Sequence, residues 1–208
     1  SRELQDKGRV CIIDDDEAVR ESLRILLFSA GYRSDLFESA DAFLEAEDKP
    51  EVDVFLLDLR MPGTDGMELH EQLISSGSKT PVIFITGHGD IPLAVTAIQR
   101  GAADFLTKPF EDGELLEKIA SAVKQGQRIR SELDGHREVQ LKLESLTPRE
   151  QDVLDLIVKG RSNKQVAAEL DISPRTVEIH RARVMEKTEA DSVATLVRMV
   201  TLVAAENE

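Results

Sequence analysis

Asp14-Asp15-Asp16 and Asp58 each stand directly behind an apolar run, Val10-Cys11-Ile12-Ile13 and Val54-Phe55-Leu56-Leu57. Carboxylates so placed can hold a hard cation or act as nucleophiles if the two runs bring them to one edge. Runs of this length and composition predict buried parallel strands, and open α/β sheets bind ligands beyond the carboxyl ends of their strands. Carboxylates crowded there repel one another unless a cation joins them, and Mg²⁺ suits an all-oxygen set. Two further runs add to the pocket: Pro81-Val82-Ile83-Phe84-Ile85 ends in Thr86, and Ala103-Asp104-Phe105-Leu106-Thr107 ends in Lys108-Pro109. Carboxylates, a hydroxyl, an amine and Mg²⁺ together make a site for a phosphoryl group carried on an aspartate.

The elements that must position these residues follow from periodicity. Strands are predicted near 9–13, 33–37, 53–58, 81–85 and 103–107, and helices near 16–29, 40–46, 65–76, 91–99 and from 112 onward. Gly31, Gly63, Gly66, Gly77 and Gly101 fall at the breaks. Alternating strands and helices predict an α/β doubly wound, five-stranded parallel sheet.

The runs IIDDD at 12–16, LLDLRMPGTDG at 56–66, FITGHGD at 84–90 and ADFLTKPF at 103–110 resemble, in order and spacing, the receiver domain of bacterial two-component response regulators. The stretch 85–95 resembles the FixJ-like branch. The resemblance implies the strand order 2-1-3-4-5 and Asp58 as phosphoacceptor. It also implies Asp15 and Asp58 as direct Mg²⁺ ligands with the Arg60 carbonyl, and Asp14 acting through water. Thr86 and Lys108 would contact the phosphoryl oxygens. Thr86 and Phe105 would form the switch, Phe105 turning into space that Thr86 leaves. The implied partner is a sensor histidine kinase.

A second unit begins at Leu146. Thr147-Pro148-Arg149-Glu150 and Ser162-Asn163-Lys164-Gln165 are capping boxes, the first with proline at the opening helical position. Helices are predicted from these to Lys159 and to Leu170, a third from Ser173-Pro174 to about Lys187, and a fourth near 191–204. Helix, short turn, helix is a DNA-reading arrangement. Residues 146–187 resemble the LuxR/NarL-type helix-turn-helix domain. A helical wheel with Val177 at the core centre sets Val184 and Thr188 beside it and His180 and Arg181 on the flanks. Arg175, Ile179, Ala182, Arg183 and Glu186 fall on the opposite face. Lys164, Arg175, Thr176, Glu178, Ile179, Ala182 and Arg183 are the candidate contacts to double-stranded DNA. Arginine suits guanine edges or phosphates, isoleucine a thymine methyl, and glutamate a cytosine amine. Relatives often carry lysine at 178 and 182 and a larger apolar residue at 188, so weaker phosphate attraction and looser packing of the last helix are expected.

The division expected is a receiver over 8–125, a helical linker over 126–144 and a DNA-binding domain over 145–208. Ile129, Leu133, His136, Gln140 and Leu143 form a weak heptad seam, open to a dimerising coiled coil or to an amphipathic linker. The net charge of −14 is concentrated in residues 1–125, with 13 basic and 25 acidic residues, whereas residues 159–187 carry 7 and 4. A locally positive segment beside an acidic domain is compatible with salt-sensitive DNA binding. No run is long enough to span a bilayer, no signal peptide is expected, and a single cysteine suits a reducing cytoplasm.

Other readings compete. A triad of carboxylates also suits a structural cation site or a metal hydrolase. Phosphatases of the haloacid-dehalogenase type use a strand-end aspartate, but their second aspartate is replaced here by Arg60, so the chain is not expected to be an enzyme. A phosphorylation-independent adaptor with weak or no DNA binding is the alternative from another class. Cys11 reads as a core residue, His70 as lying on a solvated helix, His136 as exposed, His180 as a core-edge residue and His88 as a loop residue above the site. Homodimerisation on phosphorylation, through the 91–107 face, would pair two reading helices.

Overall fold

In a computed structural model, residues 5–205 are described. The chain divides into two compact units, residues 1–131 and 132–208. In the first, β1 (Gly8–Ile13), β2 (Tyr32–Phe37), β3 (Val54–Asp58), β4 (Val82–Thr86) and β5 (Asp104–Thr107) form one parallel sheet. The order is β2-β1-β3-β4-β5, the doubly wound topology expected from the sequence.

Side chains alternate across the sheet with period two, and both faces are covered. Val10, Ile12, Val54, Leu56, Ile83 and Ile85 join Leu23 and Leu27 of α1 (Glu17–Ser29) and Leu115 and Ile119 of α5 (Asp112–Glu144). Cys11, Ile13, Phe55, Leu57 and Phe84 face the other way, with Phe43 of α2 (Ala40–Glu45), Leu69 of α3 (Gly66–Ser75) and Ala97 of α4 (Ile91–Gln99). Cys11 is wholly buried, and burial raises its thiol far above the ordinary range, so it is a core residue. His70 corrects the expectation of a solvated position: it is 3% exposed, its ring edge-on to Phe84 with centroids 5.5 Å apart. Burial holds its imidazole below its usual value, so the neutral ring serves as packing.

Register aligns the strand ends. Ile13 lies opposite Leu57, Asp58 opposite Ile85, and Thr86 opposite Thr107. Asp14 therefore emerges level with Asp58, and Thr86 and Lys108 leave the same edge. Gly66 lets α3 begin close against β3, since a Cβ there would stand 2.3 Å from the Asp58 carbonyl oxygen. At the opposite edge, a Cβ on Gly126 would stand 1.8 Å from the carbonyl oxygen of Asp53, which fixes how near α5 approaches β3.

The second unit contains α6 (Pro148–Ile157), α7 (Asn163–Leu170), α8 (Pro174–Thr188) and α9 (Val193–Ala204). Both expected capping boxes form, and Ser173 and Ser192 cap the next two helices. α6 stops short of Lys159 because the chain turns, Gly160 N donating to the Ile157 carbonyl. Val153, Leu154, Ile157, Val166, Val177 and Val184 form the core with Leu196. The buried residues of α8 are Val177, Val184 and Thr188, the line on which the wheel was centred. Thr188 is buried at 2% exposure, and its hydroxyl donates to the Val184 carbonyl at 2.7 Å. Of the expected heptad seam, Leu133 is exposed and Leu143 packs on this unit's core.

Candidate functional site

Asp14, Asp15 and Asp58 each offer a carboxylate oxygen, and the three oxygens lie within 4.8 Å of one another. Asp14 is 1% exposed. Its Oδ1 accepts from the Asp16 amide at 2.9 Å, and its Oδ2 is buried without a hydrogen bond. The Lys108 ammonium nitrogen stands 3.6 Å from Asp14 Oδ2 and 3.8 Å from Asp58 Oδ2, too far for hydrogen bonding but close enough for attraction. Asp58 Oδ1 accepts from the Arg60 amide at 3.3 Å. Asp16 is turned away to cap α1, accepting from the amides of Ala18 and Val19. This division of labour explains why three consecutive aspartates contribute two carboxylates to the cluster.

Electrostatics reflect that crowding. Burial, and then the charge of Asp14, push the Asp58 carboxyl up to about 6, against the pull of Lys108 and the Arg60 amide. Burial also raises Asp14, opposed by the Asp16 amide and by Lys108. Three converging oxygens, one of them buried and unsatisfied, fit a small hard cation. Among the described residues no histidine or cysteine joins them, so the set does not favour a softer metal.

Thr86 is 1% exposed, and its hydroxyl donates to the Gly87 carbonyl at 3.2 Å. The Lys108 amide donates to the Thr86 carbonyl at 2.8 Å, tying the two strand ends together. Phe105 is half-buried on the sheet face that carries Phe84. His88 is exposed in the 3₁₀ turn His88–Asp90 that precedes α4. Two contributors escaped sequence reasoning. Arg20 Nη1 donates to the Asp14 carbonyl at 2.7 Å, and Arg60 donates to Asp90. An arginine one helical turn after the acidic run is the signal that could have found the first.

On α8, Arg175, Glu178, Ile179, Ala182 and Arg183 are exposed, as is Lys164 on α7. Ile179 keeps 52% of its surface in solvent. Thr176 is half-buried, with its amide 3.1 Å from the capping Ser173 oxygen. Arg175 and Glu178 lie 3.6 Å apart. Arg181 belongs to the scaffold, donating to Asn163 Oδ1 at 2.9 Å. Lys187 does too, meeting the buried Glu150 carboxylate at 2.7 Å.

Known proteins carry the same arrangement. Residues 10–120 match the response regulator receiver domain, and residues 144–200 match the bacterial regulatory proteins of the luxR family. The transcriptional regulatory protein FixJ of Bradyrhizobium diazoefficiens is 45% identical over 93% of this chain and 94% of its own. The response regulator protein TodT of Pseudomonas putida is 44% identical over 95% of this chain and 88% of its own. The structure of the response regulator StyR superposes with a TM-score of 0.82 at 43% identity, covering 93% of this chain and 98% of that one. With a receiver sheet, an acidic cluster at its carboxyl edge and a luxR-type helical domain later in the chain, the chain belongs to the FixJ-like response regulators.

Proposed function

We propose that this protein is a DNA-binding transcriptional regulator controlled by phosphorylation of Asp58. The observation that carries the reading is the buried, unsatisfied Asp14 beside Asp58 and Lys108, an arrangement that crowds negative charge where a divalent cation would relieve it and so admit a phosphoryl group. The Asp58 carboxylate attacks the phosphorus of a phosphohistidine on a sensor histidine kinase. A P–O bond forms as the P–N bond breaks, and the imidazole leaves with the electron pair. Asp15, Asp58 and the Arg60 carbonyl would hold Mg²⁺, with Asp14 acting through water. When bound, Mg²⁺ supplies positive charge against the phosphoryl oxygens. Lys108 supplies more from the other side, and the Thr86 hydroxyl donates to a phosphoryl oxygen once it leaves the Gly87 carbonyl. Catalysis of turnover on outside substrates is not part of this reading, because the phosphoryl group stays on the protein.

The receiver spans 8–125, the linker 126–144 and the DNA-binding domain 145–208. Phosphorylation moves Thr86, Phe105 fills the space, and two receivers pair through the 91–107 face. Exposed Ile91, Leu93, Val95 and Ile98 on α4 support an apolar pairing surface. Lys164, Arg175, Thr176, Glu178, Ile179, Ala182 and Arg183 then meet promoter DNA in the cytoplasm. Among the described residues no helix is long and apolar enough to cross a membrane.

The test is capture of genomic DNA by the full chain with and without beryllofluoride, a phosphoryl stand-in. Enrichment of discrete sequences that rises with beryllofluoride and weakens with salt supports the reading. Failure to bind at every salt concentration, with the helical domain folded, would replace it with an adaptor role.

A further inference from the structure

Seven helices among the described residues begin in one way, and α4 does not. Asp16, Ser39, Asp65, Thr147, Ser162, Ser173 and Ser192 stand at helix starts with extended backbones, ψ between 111° and 174°, and each side chain accepts from a helix amide. Asp90 ends the 3₁₀ turn that runs directly into α4, which accounts for its ψ of 9°, and its side chain, equally suited to capping, makes no capping bond. Its carboxylate is committed elsewhere. Arg60 Nε and Nη2 reach Asp90 Oδ1 at 2.9 and 2.5 Å. The same Arg60 gives its amide to Asp58. A single ion pair thus ties the loop after the acceptor aspartate to the head of α4, while α4 goes uncapped.

The pair is built to exchange. Both nitrogens converge on one carboxylate oxygen, so it lacks the two parallel bonds of an arginine–carboxylate fork. The arginine side chain is 70% exposed. A phosphoryl group on Asp58, two residues away, presents more negative charge and more acceptor oxygens than Asp90 does. Pro92 has no amide hydrogen, so the bond open to a capping Asp90 is the Leu93 amide.

We propose that Asp90 is a two-position switch, holding Arg60 in the unphosphorylated protein and capping α4 through the Leu93 amide when a phosphoryl group at Asp58 draws Arg60 away. This rests on the reading of Asp58 as phosphoacceptor. It adds a route from the site to α4 that runs through the backbone at Asp90, separate from Thr86 and Phe105. Rotating ψ toward the extended values of the other caps reshapes the chain directly before the exposed face of α4.

Amide exchange at Leu93, followed by NMR in the full chain with Mg²⁺, tests the switch. Adding beryllofluoride should slow it about fivefold, the effect of one gained cap. Arg60→Ala should slow it to the same degree without beryllofluoride. So should Asp90→Asn, which keeps the capping oxygen and loses the charge. Asp90→Ala should abolish the slowing in every condition. If beryllofluoride shifts the Leu59 and Arg60 amides but leaves Leu93 exchange unchanged, the switch is overturned and the acceptor reading stands. Unaltered exchange in Arg60→Ala without beryllofluoride also overturns it. If no amide near Asp58 responds at all, the acceptor reading fails and the switch fails with it.

Discussion

Two carboxylates in the receiver unit are equally buried, Asp14 and Asp53, each 1% exposed, at opposite ends of one sheet. Asp53 has a cation in contact. Its Oδ2 accepts from the Arg9 amide at 2.8 Å, and its Oδ1, which makes no hydrogen bond, forms an ion pair with Arg130 Nη2 at 2.9 Å. Beside it, Gln127 donates to the Lys7 carbonyl, and Gly126 allows α5 to lie against the Asp53 backbone. Asp14 has a second carboxylate for a neighbour, an ammonium no nearer than 3.6 Å, and an oxygen that accepts nothing. The cost of burying charge is offset by a cation in contact at one end, which completes it, and only by a more distant one at the other. Burial alone therefore does not distinguish structural acids from functional ones; the nearness of the compensating cation does.

The largest effect should come from breaking the completed end. Asp53→Ala leaves Arg130 and the Arg9 amide without their acceptor and should cost roughly 3–5 kcal/mol of receiver stability. The one tyrosine, Tyr32 in β2, is buried and reports on this unit, so urea unfolding followed by its fluorescence measures the loss. Asp14→Ala without Mg²⁺ should cost far less, because it removes repulsion together with the side chain. Equal losses for the two would erase the contrast.

At the incomplete end the sign reverses. Asp58 holds its proton up to about 6, against an ordinary 3.8, so the folded protein takes up protons between those values. The stability this group contributes is full below the lower value and is lost as pH rises through the upper one. Asp58→Asn should accordingly stabilise the Mg²⁺-free protein by about 1–3 kcal/mol at pH 7, with no gain near pH 4. Unfolding curves at both pH values check the sign. A destabilised Asn variant at pH 7 would mean that Asp58 is held by partners, as Asp53 is.

How much of this was legible beforehand differs by kind of contact. Strand ends carrying Asp14, Asp58, Thr86 and Lys108 could be read because apolar runs fix where strands stop, and parallel register does the rest. The capping boxes and the Val177 line of α8 are local patterns and appear as the sequence predicted. Contacts between distant segments left no such trace. Asp53 reads only as the start of a strand, since its arginine lies far along the chain. His70 lies between the charged Glu68 and Glu71 in sequence, and its burial follows from the helix turn it shares with Met67 and Leu73 and from Phe84 across the core. Asp90 reads as an ordinary helix cap until Arg60 is seen to occupy it.

A smaller effect sharpens the same comparison. Arg20 steadies the loop at the incomplete end by donating to the Asp14 carbonyl. Arg20→Ala should lower Mg²⁺ affinity about fivefold, the worth of one partly exposed hydrogen bond, measured by titration calorimetry. An unchanged affinity would mean that the backbone amide of Asp16 alone fixes Asp14.

The central claim is that the incomplete end is where phosphoryl transfer takes place, on Asp58. Labelling by a small radioactive phosphodonor measures it without any partner kinase. The full chain should take up acid-labile label in Mg²⁺, lose it when the metal is chelated, and take up none as Asp58→Asn. Undiminished, Mg²⁺-dependent labelling of Asp58→Asn would contradict the account.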